Sequence, residues 1–350
     1  MFTSQIPDID LTTSDDNEAV VMIVSGGTSI FSATHIPFAK SITVHDIRSV
    51  IEYYMRQGNH ALRGFELRVK HNGAFQSLAT FQAIYLEQHF TGDIEEFLRN
   101  NFLTTMEGKL TSPGATEFLY YHKPAFSKES IRLRVVASVY DDEPRVYMQV
   151  IQSDISTIDT IARIEITHKK MLDAVESHGW NRDHIRVMAC SVQVGTRAFT
   201  FYVQDMEPNL TLYFRNAFNC FECCGLFAVT THKPKVERQG AGTNRISTFY
   251  NQVETAGLTM EQARWIEQLF YSHDVRMATK RTDFSQGYNP QGMPIVLITD
   301  CDCEINDADG ELNTVKFTYQ YQDRRTVLPQ EYLSVDSERI FTEEFDPSFK

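Results

Sequence analysis

A chain of 350 residues has room for two domains of ordinary size, and 42% apolar residues with 24 Phe and 15 Tyr exclude a disordered chain in favour of a β-leaning globular one. The formal net charge of −13 repels phosphate backbones and anionic lipid, so no nucleic acid and no membrane is expected as a partner. The short basic run from Thr231 to Arg238 does not reverse that balance. No basic stretch followed by an apolar core opens the sequence and no window approaches about 18 uninterrupted apolar residues, so a chain made soluble in the cytoplasm with reduced cysteines is expected.

Residues 1–18 are polar, acidic and aperiodic, and read as a flexible arm or as a strand ordered only by a neighbour. The run AVVMIVSGGTSIFSA follows as two strands around a Gly-Gly turn. A helix is expected from Val44 to Met55, with Asp46 in its first turn and Ile47, Val50, Ile51 and Tyr54 on one face. Gly64 to Lys70 and Phe75 to Leu86 alternate around His71-Asn72-Gly73, where Asn-Gly marks a hairpin. Asp93 to Phe102 reads as a short helix, and Leu133 to Tyr140 with Arg145 to Ile151 as another hairpin. Thr157 to Thr167 alternates, and Lys169 to His178 fits either a helix or an edge strand. Ile185 to Val194 and Ala198 to Gln204 form a hairpin around Gly195-Thr196.

Further strands are expected over Leu210–Phe214, Leu226–Val236, Ile246–Thr255, Val275–Ala278, Ile295–Thr299 and Leu312–Tyr321. Between them, Thr259 followed by Gln262 is a capping-box pattern, and Ala263, Ile266, Gln268, Leu269 and Phe270 form the stripe that would seat a helix over 259–270. Arg281 to Gln291 has no period and reads as a loop, and the tail FTEEFDPSFK as an arm that docks on a neighbour or moves. The expected fold is α+β, mainly β. Its parts are an N-terminal arm (1–18), two antiparallel β-sandwich or barrel-like domains each carrying a packed helix (19–155 and 156–325), and a C-terminal arm (326–350).

Chemistry is sparse in this pattern. Cys220, Cys223 and Cys224 with Cys301 and Cys303 would supply enough thiolates for zinc, yet they lack two separated C-x-x-C pairs and read better as small buried residues at turns. DCDCEINDADG, from Asp300 to Gly310, fails the calcium-loop test, because aligning on Gly310 puts Ile305 first and Lys316 last. Ser25-Gly26-Gly27-Thr28 is a turn, and Glu95 with Glu96 a solvated pair. Phe199 and Phe201, or Phe317, Tyr319 and Tyr321, could make a sugar-binding platform, but strand period favours one inward face of a sheet. No catalytic, cofactor or metal residue is assigned. By residue type, Arg215, Trp265 and Tyr288 are candidate interface anchors, although the helix face makes Trp265 better suited to a core.

Four segments carry a resemblance: IPFAKSITVHDIRSVIEYYM, LTLYFRNAFNCFE with LFAVTTHKPKVER, VETAGLTMEQARWIEQLFYSHDVRM, and DCDCEINDADGELNTVKFTYQYQDRR. Together they resemble tail-structural proteins, of tail or baseplate, encoded by tailed phages and prophages of gut bacteria. The resemblance implies β-rich domains that build rings or hubs in a virion, with other copies of the chain and other tail proteins as partners; the lack of a catalytic constellation points the same way, to no enzymatic activity. Cys220, Cys223 and Cys224 depart from the ordinary turn residues expected there, and no site residue is carried over. A carbohydrate-binding adhesion module and a hydrolase acting through carboxylates are the competing readings.

Overall fold

The computed structural model describes residues 1–140, 142–239, 244–278, 290–303, 305 and 312–322. Strands make up 50% and helices 16% of it, in several antiparallel sheets, so the chain is α+β and mainly β. Tyr288, most of the 281–291 loop, most of the acidic turn before Gly310 and the arm 326–350 lie outside the described residues.

The N-terminal sheet has the order β3-β2-β5-β6, from β2 (Ala19–Ser25), β3 (Thr28–His35), β5 (Leu62–His71) and β6 (Gln76–Ile84). Gly26 and Gly27 make the first turn at φ 56° and 83°, a region that costs glycine little. Asn72 turns the second hairpin at φ 50°, a left-handed conformation that Asn tolerates, in a loop longer than a two-residue Asn-Gly turn. Helix α1 (Ile47–Gln57) buries Ile47, Ile51 and Met55 against Val21, Ile23 and Phe65.

The first residues are not a free arm. Phe2 is fully buried against Phe90, Phe97 and Phe218, and its backbone bridges to Ile84. Strand β1 (Ile9–Thr12) then pairs with β4 (Ser41–Val44) of the same chain. Apolar anchors at Phe2 and Ile6 outweigh the polar composition that suggested mobility, since burying one aromatic ring stabilises by about 2 kcal/mol. Phe2→Ala is expected to lower unfolding free energy by about 3 kcal/mol, read from urea midpoints, whereas a mobile arm would leave it unchanged.

The next sheet crosses the expected boundary at 155. Its order is β10-β9-β12-β13-β7, from β7 (Gly108–Thr111), β9 (Ser130–Val139), β10 (Arg145–Gln152), β12 (Ile185–Val194) and β13 (Arg197–Val203). Strands on both sides of residue 155 are thus hydrogen-bonded neighbours, through β9 and β12. The intervening β11 (Thr160–Thr167) pairs with β8 (Thr116–Lys123), and α3 (His168–Glu176) closes the inner face. Thr167 caps that helix by accepting from the Lys170 N–H, which decides the open choice over 169–178 in favour of helix. Val135, Cys190, Val192, Phe199 and Phe201 of the large sheet meet Ile166, Met171 and Val175 in one core.

The last sheet has seven strands in the order β15-β14-β18-β19-β20-β17-β16. They are β14 (Leu210–Arg215), β15 (Phe221–Leu226), β16 (Ala228–Gln239), β17 (Asn244–Thr255), β18 (Val275–Met277), β19 (Ile295–Cys303) and β20 (Val315–Tyr321). Helix α4 (Met260–Tyr271) begins at the expected capping box, both halves of which are formed by Thr259 and Gln262. It buries Ala263, Trp265, Ile266 and Leu269 on the sheet. The described strands therefore sort into three main cores, and the seams between them hold two smaller aromatic clusters.

Candidate assembly surface

The segment from Arg215 to Glu222 locks the three cores together. It links β14 to β15 through a turn in which Asn219 sits at φ 59°, a conformation Asn tolerates better than most residues. Asn216 donates to the Leu103 carbonyl at 2.8 Å and to Glu222 Oε1 at 2.5 Å, while its own Oδ1 accepts from the N–H groups of Phe218 and Cys220. Asn219 donates to the carbonyls of Met55 and His60 in the N-terminal unit. Gln268 of α4 accepts from the Ala217 N–H and donates to Thr105. Short polar side chains thus do here what a continuous sheet would do elsewhere.

Behind this turn lies a buried charged trio. Lys109 Nζ stands 2.7 Å from Glu117 Oε2 and donates to the Cys223 carbonyl at 2.8 Å. Its ammonium also lies 5.1 Å from the Trp265 ring, whose Nε1–H donates to Glu222 Oε2 at 2.5 Å. Burial opposes the charge on Lys109, but the carboxylates of Glu117 and Glu222 outweigh it and hold the ammonium charged above its usual range. Lys109, Glu117 and Glu222 are all buried, and the trio reads as a structural tie.

The outward face of the five-stranded sheet is different. Register places Val146 of β10 opposite Val136 of β9, Val136 opposite Ala189 of β12, Ala189 opposite Tyr202 of β13, and Tyr202 opposite Leu110 of β7. One apolar row therefore crosses every strand of the sheet. Val146, Tyr202 and Leu110 are 53%, 54% and 51% exposed, and Met148, Val150 and Met188 extend the patch. Six such half-exposed side chains present on the order of 500 Å² of apolar surface, near the upper end of what a monomer normally leaves bare. Arg132 and Arg134 stand exposed on the same face, with no ion pair among the described residues, while Arg186 pairs with Asp205. Strand β10 is the free edge beside this patch.

The sequence-level candidates fall elsewhere. Arg215 and Trp265 are both 7% exposed, so neither is a surface anchor; Arg215 stacks on Phe221 and pairs with Asp274, and Trp265 packs in the core. Phe199, Phe201, Phe317 and Tyr319 are buried and Tyr321 is partly so, as the inward reading required. Cys220, Cys223 and Cys224 are buried in three separate clusters, and Cys223 and Cys224 belong to a strand where a turn was expected. Burial pushes all three thiols up. Among the described residues no three His, Cys, Asp or Glu side chains are grouped to hold a metal ion. Glu95 and Glu96 are exposed on α2 (Ile94–Asn100) beside their capping residue Asp93.

The exposed apolar face left one trace in the sequence. RVYMQVIQ carries apolar residues at both parities, the mark of a strand covered on both sides. The buried trio and Asn219 left none, since lone charged or amide residues far apart in sequence resemble surface positions.

Histidine titration sets an acid limit on the junction. His60, His122, His168 and His273 are all lowered, chiefly by burial, and His273, facing Arg215, Asp274 and Arg56, to about 4. Groups depressed in the folded state contribute stability that is complete above the unfolded value of 6.5 and is lost as pH falls toward the folded one. The urea midpoint is expected to drop between pH 7 and pH 4.5, and His273→Gln should shallow that drop; a midpoint independent of pH over this window would refute the assignment.

No helix among the described residues is long and apolar enough to cross a membrane. No known family model matches the chain, and no curated protein matches it.

Proposed function

We propose that the chain is a structural protein that assembles with further copies of itself through the outward face of its five-stranded sheet, as a component of a phage tail or baseplate. The observation that carries the assembly reading is the apolar row from Val146 to Leu110 across all five strands. The occupant is a second copy, on grounds of charge: the face bears Arg132 and Arg134 on a chain of net charge −13. A counterpart is present in Asp8, Asp10, Asp15, Asp16 and Glu18 of the N-terminal unit. Two different patches in contact make a head-to-tail interface, which closes into a ring or continues as a tube. The tail or baseplate setting rests on the sequence resemblance.

The test is electron microscopy together with mass photometry of the purified chain across a concentration series, at low and at high salt. Rings or tubes that loosen with salt are expected. A particle that stays monomeric at high concentration, even when tail proteins encoded beside it are added, would overturn the reading.

A further inference from the structure

A cleft of about 390 Å³ opens where the three units meet. Its walls come from the loop after α1 (Asn59, His60), from Tyr120 and the residues leading into β11 (Ile158, Asp159), and from Arg215 and Asn219 of the junction turn. Pockets with a few converging polar groups at such seams are where small ligands bind.

Two buried side chains in this cleft are left incomplete. Asn219 is 1% exposed, and its Nδ2 is committed to the Met55 and His60 carbonyls. That fixes the amide orientation and leaves Oδ1 as a buried acceptor with no partner. Arg215 uses Nε toward Asp274 and Nη1 toward the Asn219 carbonyl, while Nη2 has no hydrogen bond among the described residues. Its plane is held flat on the Phe221 ring at 4.1 Å. A buried acceptor left unmet is costly, so the site is shaped to receive a donor.

The surrounding charge favours an anion beside that donor. Asp274 is shared between Arg215 and Arg276. Arg63 lies close enough to lower His60, and Arg163 close enough to act on Tyr120. The acidic group on the lining is Asp159, whose Oδ1 already accepts from the Ala125 N–H and whose Oδ2 faces His122 at 3.9 Å.

We infer that this cleft binds a carboxylate with an adjacent N–H, the chemistry of an acyl amino acid or a free polypeptide C-terminus. The carboxylate oxygen accepts from Arg215 Nη2, and the N–H donates to Asn219 Oδ1. The Tyr120 hydroxyl, kept protonated by burial, lines the same space.

The experiment is calorimetry and a thermal-shift series on the full chain with N-acetylglycine, N-acetylglycinamide, acetate and inorganic phosphate. A pentapeptide with a free C-terminus and its amidated form separate the two sources. N-acetylglycine is expected to bind at least 10-fold more tightly than acetate or N-acetylglycinamide. Tighter binding of the free-terminus pentapeptide assigns the site to a chain end, and equal or weaker binding to a small molecule.

Arg215→Gln should abolish the response. Because that change touches the junction, Ile158→Glu serves as the second variant: Ile158 is 65% exposed at the rim. It should leave the unliganded melting temperature unchanged while weakening N-acetylglycine about 10-fold, and Ile158→Lys should strengthen it. No binding of N-acetylglycine, binding indifferent to the Ile158 charge, or equal response to phosphate would overturn the inference.

Discussion

Lys109→Met is expected to destabilise the fold by about 4 kcal/mol, because it strands the Glu117 carboxylate beside that of Glu222 in a dry interior. Glu222 keeps two donors, from Trp265 and Asn216, whereas Glu117 Oε2 faces the Lys109 ammonium at 2.7 Å. The double variant Lys109→Met/Glu117→Leu should therefore recover most of the loss, since an apolar pair of similar volume needs no desolvation of charge. Urea unfolding of the four chains of this cycle measures the coupling. A double variant as unstable as the sum of the single ones would show that each residue acts through packing alone.

Val146→Asp and Tyr202→Asp are each expected to weaken self-association by about 100-fold, ~2.7 kcal/mol, with little change in monomer stability. Both side chains are about half exposed and sit in one row, so an ionised carboxylate there is tolerated in the free chain and desolvated in the assembly. The salt response provides a second discriminator. Arg132→Glu with Arg134→Glu should remove the loosening by salt, because those side chains supply the positive field. Sedimentation velocity on the variants reads both effects. Assembly unchanged by aspartate at either position would move the interface away from this sheet.

Local signals translated well where one short stretch contains its own reason. Thr259 and Gln262 cap α4 as a pair three residues apart, and Asn72 turns a hairpin because it alone must adopt a left-handed conformation there. Other segments needed a distant partner to be read. Cys223 and Cys224 read locally as buried residues at turns, yet FECCGL forms β15 by register with Leu210–Arg215. Strand β11 was visible as alternation, but its partner is β8, with Thr160 opposite Lys123. The boundary at 155 failed for the same reason: nothing local reveals that β9 pairs with β12 across β10, β11 and α3.

By itself the sequence determined the class of fold, most of the strands and the capped start of helix α4, because periodicity and capping act within a few residues. The tertiary structure alone decided which apolar residues stay outside, which charges lie within, and where three cores meet. Val146, Tyr202 and Leu110 become one surface only through register across five strands. Lys109, Glu117 and Glu222 become one tie, and Arg215 and Asn219 one cleft, only because burial makes the distances between them costly to leave unfilled.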